Sequence, residues 1–130
     1  MKRLLVIDDD DQMRQMLKQM LERAGYEIID APDGQTGIEL YRQNPTDLII
    51  TDLIMPQKDG METIIELKRD FPNVKIIAIS GGSRAMDPRD YLHYTTQFGI
   101  VHTLTKPFDP KEMIAMIQSE LQEEVQEATG

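Results

Sequence analysis

Two apolar runs in this chain each end on carboxylates that could do chemistry. Leu4-Leu5-Val6-Ile7 leads into Asp8-Asp9, and Leu48-Ile49-Ile50-Thr51 leads into Asp52. Carboxylates gathered at one edge of a sheet repel each other, which disfavours their charged forms. A hard cation such as Mg²⁺ removes that penalty, because it takes oxygen ligands from one or two carboxylates, from waters and from phosphates. The set points to metal-assisted phosphoryl chemistry, with Asp52 as a nucleophile that forms an acyl phosphate. Each group also has a plainer reading. Asp8 and Asp9 run into Asp10 and Asp11, and acids are favoured at a helix N-terminus whatever else they do. Asp52 could simply cap a loop.

Two further residues fall at the ends of candidate strands. Ser80 opens Ser80-Gly81-Gly82-Ser83, which is either an ordinary turn or a hydroxyl with exposed N–H groups able to hold phosphoryl oxygens. Lys106, in Lys106-Pro107-Phe108, would offset an acidic edge or pair with a phosphoryl oxygen as a point charge. The nine methionines read as core filler. His93 and His102 lack metal-ligand spacing. No glycine-rich nucleotide motif occurs.

The elements that must position these groups alternate in hydrophobic period, which predicts α/β architecture with a parallel sheet. Strands are expected at Leu4–Asp8, Glu27–Ala31, Leu48–Asp52, Lys75–Ser80 and Val101–Thr105. The first helix should run from about Asp11 to Ala24 with Met13, Met16, Leu17, Met20 and Leu21 on its inner stripe and Gly25 as its C-cap. A second starts near Asp33-Gly34 and ends before Asn44-Pro45. A third spans Met61 to Asp70, with Gly60 supplying a positive φ before it. Asp87-Pro88 and Asp109-Pro110 open the fourth and fifth, each an N-cap followed by proline. In the fifth, Ile114, Ile117, Leu121 and Val125 should face inward. Right-handed crossovers turn five such units into a doubly wound, flavodoxin-like (βα)5 sheet of strand order 2-1-3-4-5. Asp8, Asp9, Asp52, Ser80 and Lys106 then share its C-terminal edge, where ligands of such sheets bind.

Composition narrows the class. With 130 residues there is room for one domain, expected over residues 1–125 with a short tail at 126–130. Cysteine is absent, which excludes disulfides and thiol chemistry, and no apolar run approaches the roughly 20 residues of a membrane span. A cytoplasmic protein is the expectation. The net charge of −9 disfavours nucleic acid and anionic membranes as partners.

Together, Val6-Ile7-Asp8-Asp9, Asp52-Leu53-Ile54-Met55-Pro56 with Asp59-Gly60, Ser80-Gly81 and Lys106-Pro107-Phe108 closely resemble the response-regulator receiver domain of two-component signalling, over about residues 3–125. The resemblance implies that Asp52 takes a phosphoryl group from a histidine kinase or histidine phosphotransfer protein. It implies a Mg²⁺ site formed by Asp8, Asp9, Asp52 and the Ile54 carbonyl. Ser80 would hydrogen-bond the phosphoryl group and Lys106 would pair with it. The output would be relay, or docking on a downstream protein by a monomer or weak dimer. Receiver domains couple such contacts to an aromatic residue on strand five; that position is Thr103 here. The response is therefore expected in the loop from Gly81 to Asp87 and in the fourth helix. With nothing but a short tail after the last helix, a stand-alone receiver is expected, catalysing only its own phosphotransfer and dephosphorylation. Two alternatives compete. A pseudo-receiver would keep the fold as a binding module without phosphate control. An Asp-based Mg²⁺ phosphatase of the haloacid-dehalogenase type would want an acid two positions after the nucleophile, where Ile54 stands.

Overall fold

Strands that read as unbroken apolar runs need cover on both faces, and helices supply it. The computed structural model describes residues 1–53, 60–81, 102–106 and 108–121. Five parallel strands, β1 (Arg3–Ile7), β2 (Glu27–Ala31), β3 (Leu48–Asp52), β4 (Ile76–Gly81) and β5 (His102–Lys106), pair in the order β2-β1-β3-β4-β5. The helices described are α1 (Asp11–Arg23), α2 (Gly34–Gln43), α3 (Gly60–Asp70) and α4 (Pro110–Glu120). This α4 is the helix that the sequence places fifth; the stretch around Asp87-Pro88 lies outside the described residues.

Alternation along each strand divides the core in two. Leu4 and Val6 of β1 join Ile50, Ile77 and Ile79 against Leu17 and Leu21 of α1 and Met113 and Ile117 of α4. Leu5 and Ile7 join Ile49, Ile76 and Ala78 against Ile38 and Tyr41 of α2 and Ile64 and Leu67 of α3. A one-residue slip in β1 would exchange these sets between layers, so the register is strongly fixed.

The helix boundaries follow capping chemistry. Asp10 is the N-cap of α1, its carboxylate accepting from the N–H groups of Gln12 (2.9 Å) and Met13 (3.2 Å). Asp33 does the same for α2 through Thr36 N–H at 2.7 Å, and Asp109 for α4 through Lys111 N–H at 2.9 Å. Helix α1 stops one residue early, with Ala24 as C-cap, and Gly25 follows at φ 100°, the left-handed value that glycine adopts freely.

Three expectations need correction. Met16 is 47% exposed, whereas Leu17 and Leu21 are fully buried. Each helical residue turns the side chain by about 100°, so Met16 sits behind the i, i+4 row that Met13 starts. Met113, not assigned to the inner stripe of the last helix, is fully buried in an i, i+4 row with Ile117 and Leu121; Ile114 lies at its margin. Val125 lies outside the described residues. Gly60 does not supply a positive φ; among the described glycines only Gly25 does. Its requirement is space. A Cβ on Gly60 would collide with the Asp52 carbonyl oxygen and Leu53 Cα, and the Gly60 N–H donates to the Leu53 carbonyl at 3.0 Å. Gly60→Ala should therefore lower stability by about 1–3 kcal/mol, the usual cost of overpacking a closed site. Urea unfolding checks this, and an unchanged midpoint would show that α3 can back away from β3.

Where α2 meets α3 the surface carries an ion-pair network. Asp70 accepts from Arg69 Nε at 3.0 Å and from Arg42, and Arg42 also reaches Glu66 at 3.1 Å. The Phe71 ring packs edge-on to Tyr41 and under the Arg42 guanidinium. Hydrogen bonds from Arg69, then Arg42, hold the Asp70 carboxyl down to about 2. A depressed carboxylate stabilises the fold above its unfolded value, about 3.9, and that contribution fades as pH falls toward the folded value. In Arg69→Ala, an NMR titration should show the Asp70 carboxyl return upward. No movement would mean that Arg42 alone sets it.

Candidate functional site

Strand β1 lies between β2 and β3, so the chain leaves it toward one side and later crosses it to the other. The crevice at the C-terminal ends of β1 and β3 is the switch point where doubly wound sheets bind ligands. Ile7 pairs with Thr51 in the β1–β3 register, and one step further brings Asp8 level with Asp52. Asp8 is 1% exposed and Asp52 3% exposed; Asp9 is half-buried at the mouth. Asp8, Asp9 and Asp52 each present a carboxylate oxygen, and these oxygens lie within 4.8 Å of one another.

The acidic run after β1 divides its labour, so both readings of it hold for different residues. Asp10 caps α1, and Asp11 occupies its first turn. Asp8 Oδ1 accepts from the Asp10 N–H at 2.9 Å, a local turn that directs the Asp8 carboxylate over the end of the sheet. The Asp8 N–H donates to the Ala31 carbonyl at 3.2 Å, extending the pairing with β2. At the other strand, Thr51 Oγ1 donates to the Asp52 carbonyl at 3.1 Å, and the Leu53 N–H to the Ile79 carbonyl at 2.9 Å. Both acid-bearing strand ends are pinned by backbone.

Charge makes this arrangement costly by itself. At 4.8 Å or less, two carboxylates repel by roughly 3–4 kcal/mol at an effective dielectric constant of about 20. Asp9 Oδ1 is buried and has no hydrogen-bond partner among the described residues. A buried carboxylate oxygen normally has one. An all-oxygen set of three acids facing one point fits a hard divalent cation, which would satisfy that atom and relieve the repulsion. The residues present therefore fit Mg²⁺.

Not every expected site residue is described in full. The backbone places Ser80 near the end of β4, one step beyond the Asp52–Ile79 pair, and Lys106 as the last residue of β5, opposite Gly81. Both thus sit on the same sheet edge as Asp52; their side chains lie outside the described set, as does that of Thr103. Ile54 lies outside the described residues, as does the span 82–101 with its expected signalling loop.

Sequence reasoning overlooked one group beside the site. Arg14, with its side chain 11% exposed, donates to the Asp8 carbonyl (Nη1, 2.8 Å), Asp30 Oδ2 (Nε, 2.9 Å) and Asp11 Oδ1 (Nη2, 2.6 Å). Lys18, one turn on, approaches Asp30 Oδ1 at 3.6 Å. Burial opposes the Arg14 charge, but Asp11 and Asp30 more than offset it and raise its pKa. The available signal was Asp30 itself, an acid that follows Ile28-Ile29 near the end of a strand, answered by Arg14 and Lys18 at i, i+4.

A profile of the response regulator receiver domain matches residues 4–118. The chemotaxis protein CheY of Thermotoga maritima is 33% identical over 114 residues, covering 87% of this chain and 92% of that protein. The response regulator receiver protein CpdR of Brucella abortus is 31% identical over 122 residues, covering 93% and 98%. Response regulator GtcR of Aneurinibacillus migulanus is 36% identical over 120 residues, 92% of this chain, and the chain spans 48% of its length. Among solved structures, a receiver domain from Clostridium thermocellum superposes with a TM-score of 0.86 at 27% identity, covering 94% of this chain and 95% of that one. The chain belongs to the response regulator receiver domain family of two-component signalling. No helix among the described residues is long and apolar enough to cross a membrane.

Proposed function

We propose that this chain is a phosphoacceptor switch in which Asp52 takes a phosphoryl group from a phosphohistidine on a partner kinase or phosphotransfer protein. The observation that carries the reading is the trio of Asp8, Asp9 and Asp52, with a buried Asp9 oxygen that has no partner among the described residues, at the switch point of the sheet. An Asp52 carboxylate oxygen bonds to phosphorus as the phosphorus–nitrogen bond to the donor histidine breaks. The products are an acyl phosphate on Asp52 and a free histidine on the partner. Asp8, Asp9, Asp52 and the Ile54 carbonyl would hold Mg²⁺, which when bound supplies positive charge against the transferring phosphoryl oxygens. Such positioning and charge stabilisation is most of what phosphoryl transfer requires.

Lys106 is assigned to pair with the phosphoryl oxygens and Ser80 to hydrogen-bond one of them, both from strand ends on that edge. We assign the receiver unit to residues 1–125 and the reaction to the cytoplasm. The output is relay to a second histidine or docking on a target protein. Phosphoramidate, a small donor with the same kind of phosphorus–nitrogen bond, tests the reading. With Mg²⁺ it should load the protein with a phosphoryl group that hydroxylamine removes, the mark of an acyl phosphate. A load that resists hydroxylamine would place it on a hydroxyl instead.

A further inference from the structure

We propose that Arg14 is a positioning residue for the cation site, its guanidinium gripping the peptide plane between Asp8 and Asp9 and tying that plane to β2 through Asp30. The inference rests on reading Asp8, Asp9 and Asp52 as the cation ligands. The Asp8 carbonyl and the Asp9 N–H belong to one rigid amide plane. Arg14 Nη1 holds the carbonyl side of that plane at 2.8 Å, and Nε holds Asp30 Oδ2 at 2.9 Å. Asp30 stands in β2 opposite Val6, two residues before Asp8. One guanidinium thus spans the helix, the loop and the neighbouring strand.

The grip opposes a definite force. With no cation bound, the like charges of Asp8, Asp9 and Asp52 push the loop after β1 away from β3. Turning the amide plane between the first two acids is the easiest way for it to give, since the strand before it and the capped helix after it are both hydrogen-bonded. Arg14 closes that route without competing for the ligands, because its contacts are a backbone carbonyl and two other carboxylates, Asp30 and Asp11. The planar fork matters here. A lysine at this position would carry the charge but could not hold the carbonyl and Asp30 in fixed directions at once.

The test uses the full chain, with Mg²⁺ titrated calorimetrically into wild type, Arg14→Gln and Arg14→Lys, and melting curves taken in EDTA. Both variants should bind Mg²⁺ about tenfold more weakly, the low end for residues that orient ligands, while still unfolding in one cooperative transition in EDTA. Wild-type affinity in Arg14→Lys would overturn the proposal, because charge alone would then suffice. Wild-type affinity in a folded Arg14→Gln would overturn it too; if that variant does not fold, Arg14→Lys decides. Amide exchange in EDTA gives a readout without metal. The Asp10 N–H, which donates to Asp8 Oδ1, should exchange faster in both variants, and unchanged exchange counts against the grip. Should wild type itself bind no Mg²⁺, the cation-site reading fails, and the exchange experiment still judges Arg14.

Discussion

Asp52→Asn takes up no phosphoryl group under conditions where the wild-type chain gains one. Intact-mass measurement after incubation with acetyl phosphate and Mg²⁺ should show an increase of about 80 Da in wild type, one phosphoryl group as expected of covalent Asp catalysis, and none in the variant. The effect is total because the amide nitrogen and oxygen of asparagine are poor nucleophiles, while the side chain fills the same volume. Asp52 is 3% exposed beside two other acids, and asparagine puts a side chain of the same shape into that closed site. An Asp52→Asn protein that still gained the mass would move the nucleophile elsewhere.

The second large effect runs against the usual direction of mutation. Asp9→Asn should stabilise the metal-free protein, by about 1–3 kcal/mol after solvent screening of two close carboxylate repulsions. Its amide can also donate to a neighbouring carboxylate where Asp9 Oδ1 has no partner among the described residues. The same substitution should remove the response to Mg²⁺. In wild type, a cation at about a hundredfold above its Kd adds about 2.7 kcal/mol to stability; in Asp9→Asn the denaturation midpoint should hardly move. A site that stores repulsion so that a ligand can relieve it behaves in this way, trading stability for function. Urea midpoints of both proteins, with Mg²⁺ and with EDTA, check both halves. If Asp9→Asn were less stable than wild type in EDTA, the trio would not be a strained cluster.

The fold was largely legible because the chain marks its strand ends sharply. Leu48 to Asp52 is apolar until its last two residues, and the strand boundaries fell within one residue of expectation wherever a charge or glycine followed the run. Caps were equally plain, since Asp33 before Gly34 and Asp109 before Pro110 each leave one sensible start for a helix. Helix phase was harder to read. Met16 and Met113 are as apolar as their neighbours, so only the angle to the sheet, set by distant packing, decides which of them is buried.

The three acids and their common edge could be inferred because Asp52 ends β3, Asp8 directly follows β1, and the topology makes those strands neighbours. The Arg14–Asp30 bridge joins positions sixteen apart through the register of β2 against β1, which local patterning does not encode. Gly60 was recognised as special, but the reason given was a backbone angle. The actual constraint is the approach of α3 to the Asp52 carbonyl, a distance between segments that no stretch of sequence displays.

The most direct test of the central claim is to locate the phosphoryl group chemically. The chain is loaded with phosphoramidate and Mg²⁺, reduced with borohydride, digested and sequenced by mass spectrometry. An acyl phosphate on an aspartate reduces to homoserine, so the peptide carrying position 52 should be lighter by about 14 Da than its unreacted form. Homoserine at 52, lost when EDTA replaces Mg²⁺, is the predicted result. An intact Asp52 in a chain that has gained phosphate, or homoserine at another aspartate, would contradict it.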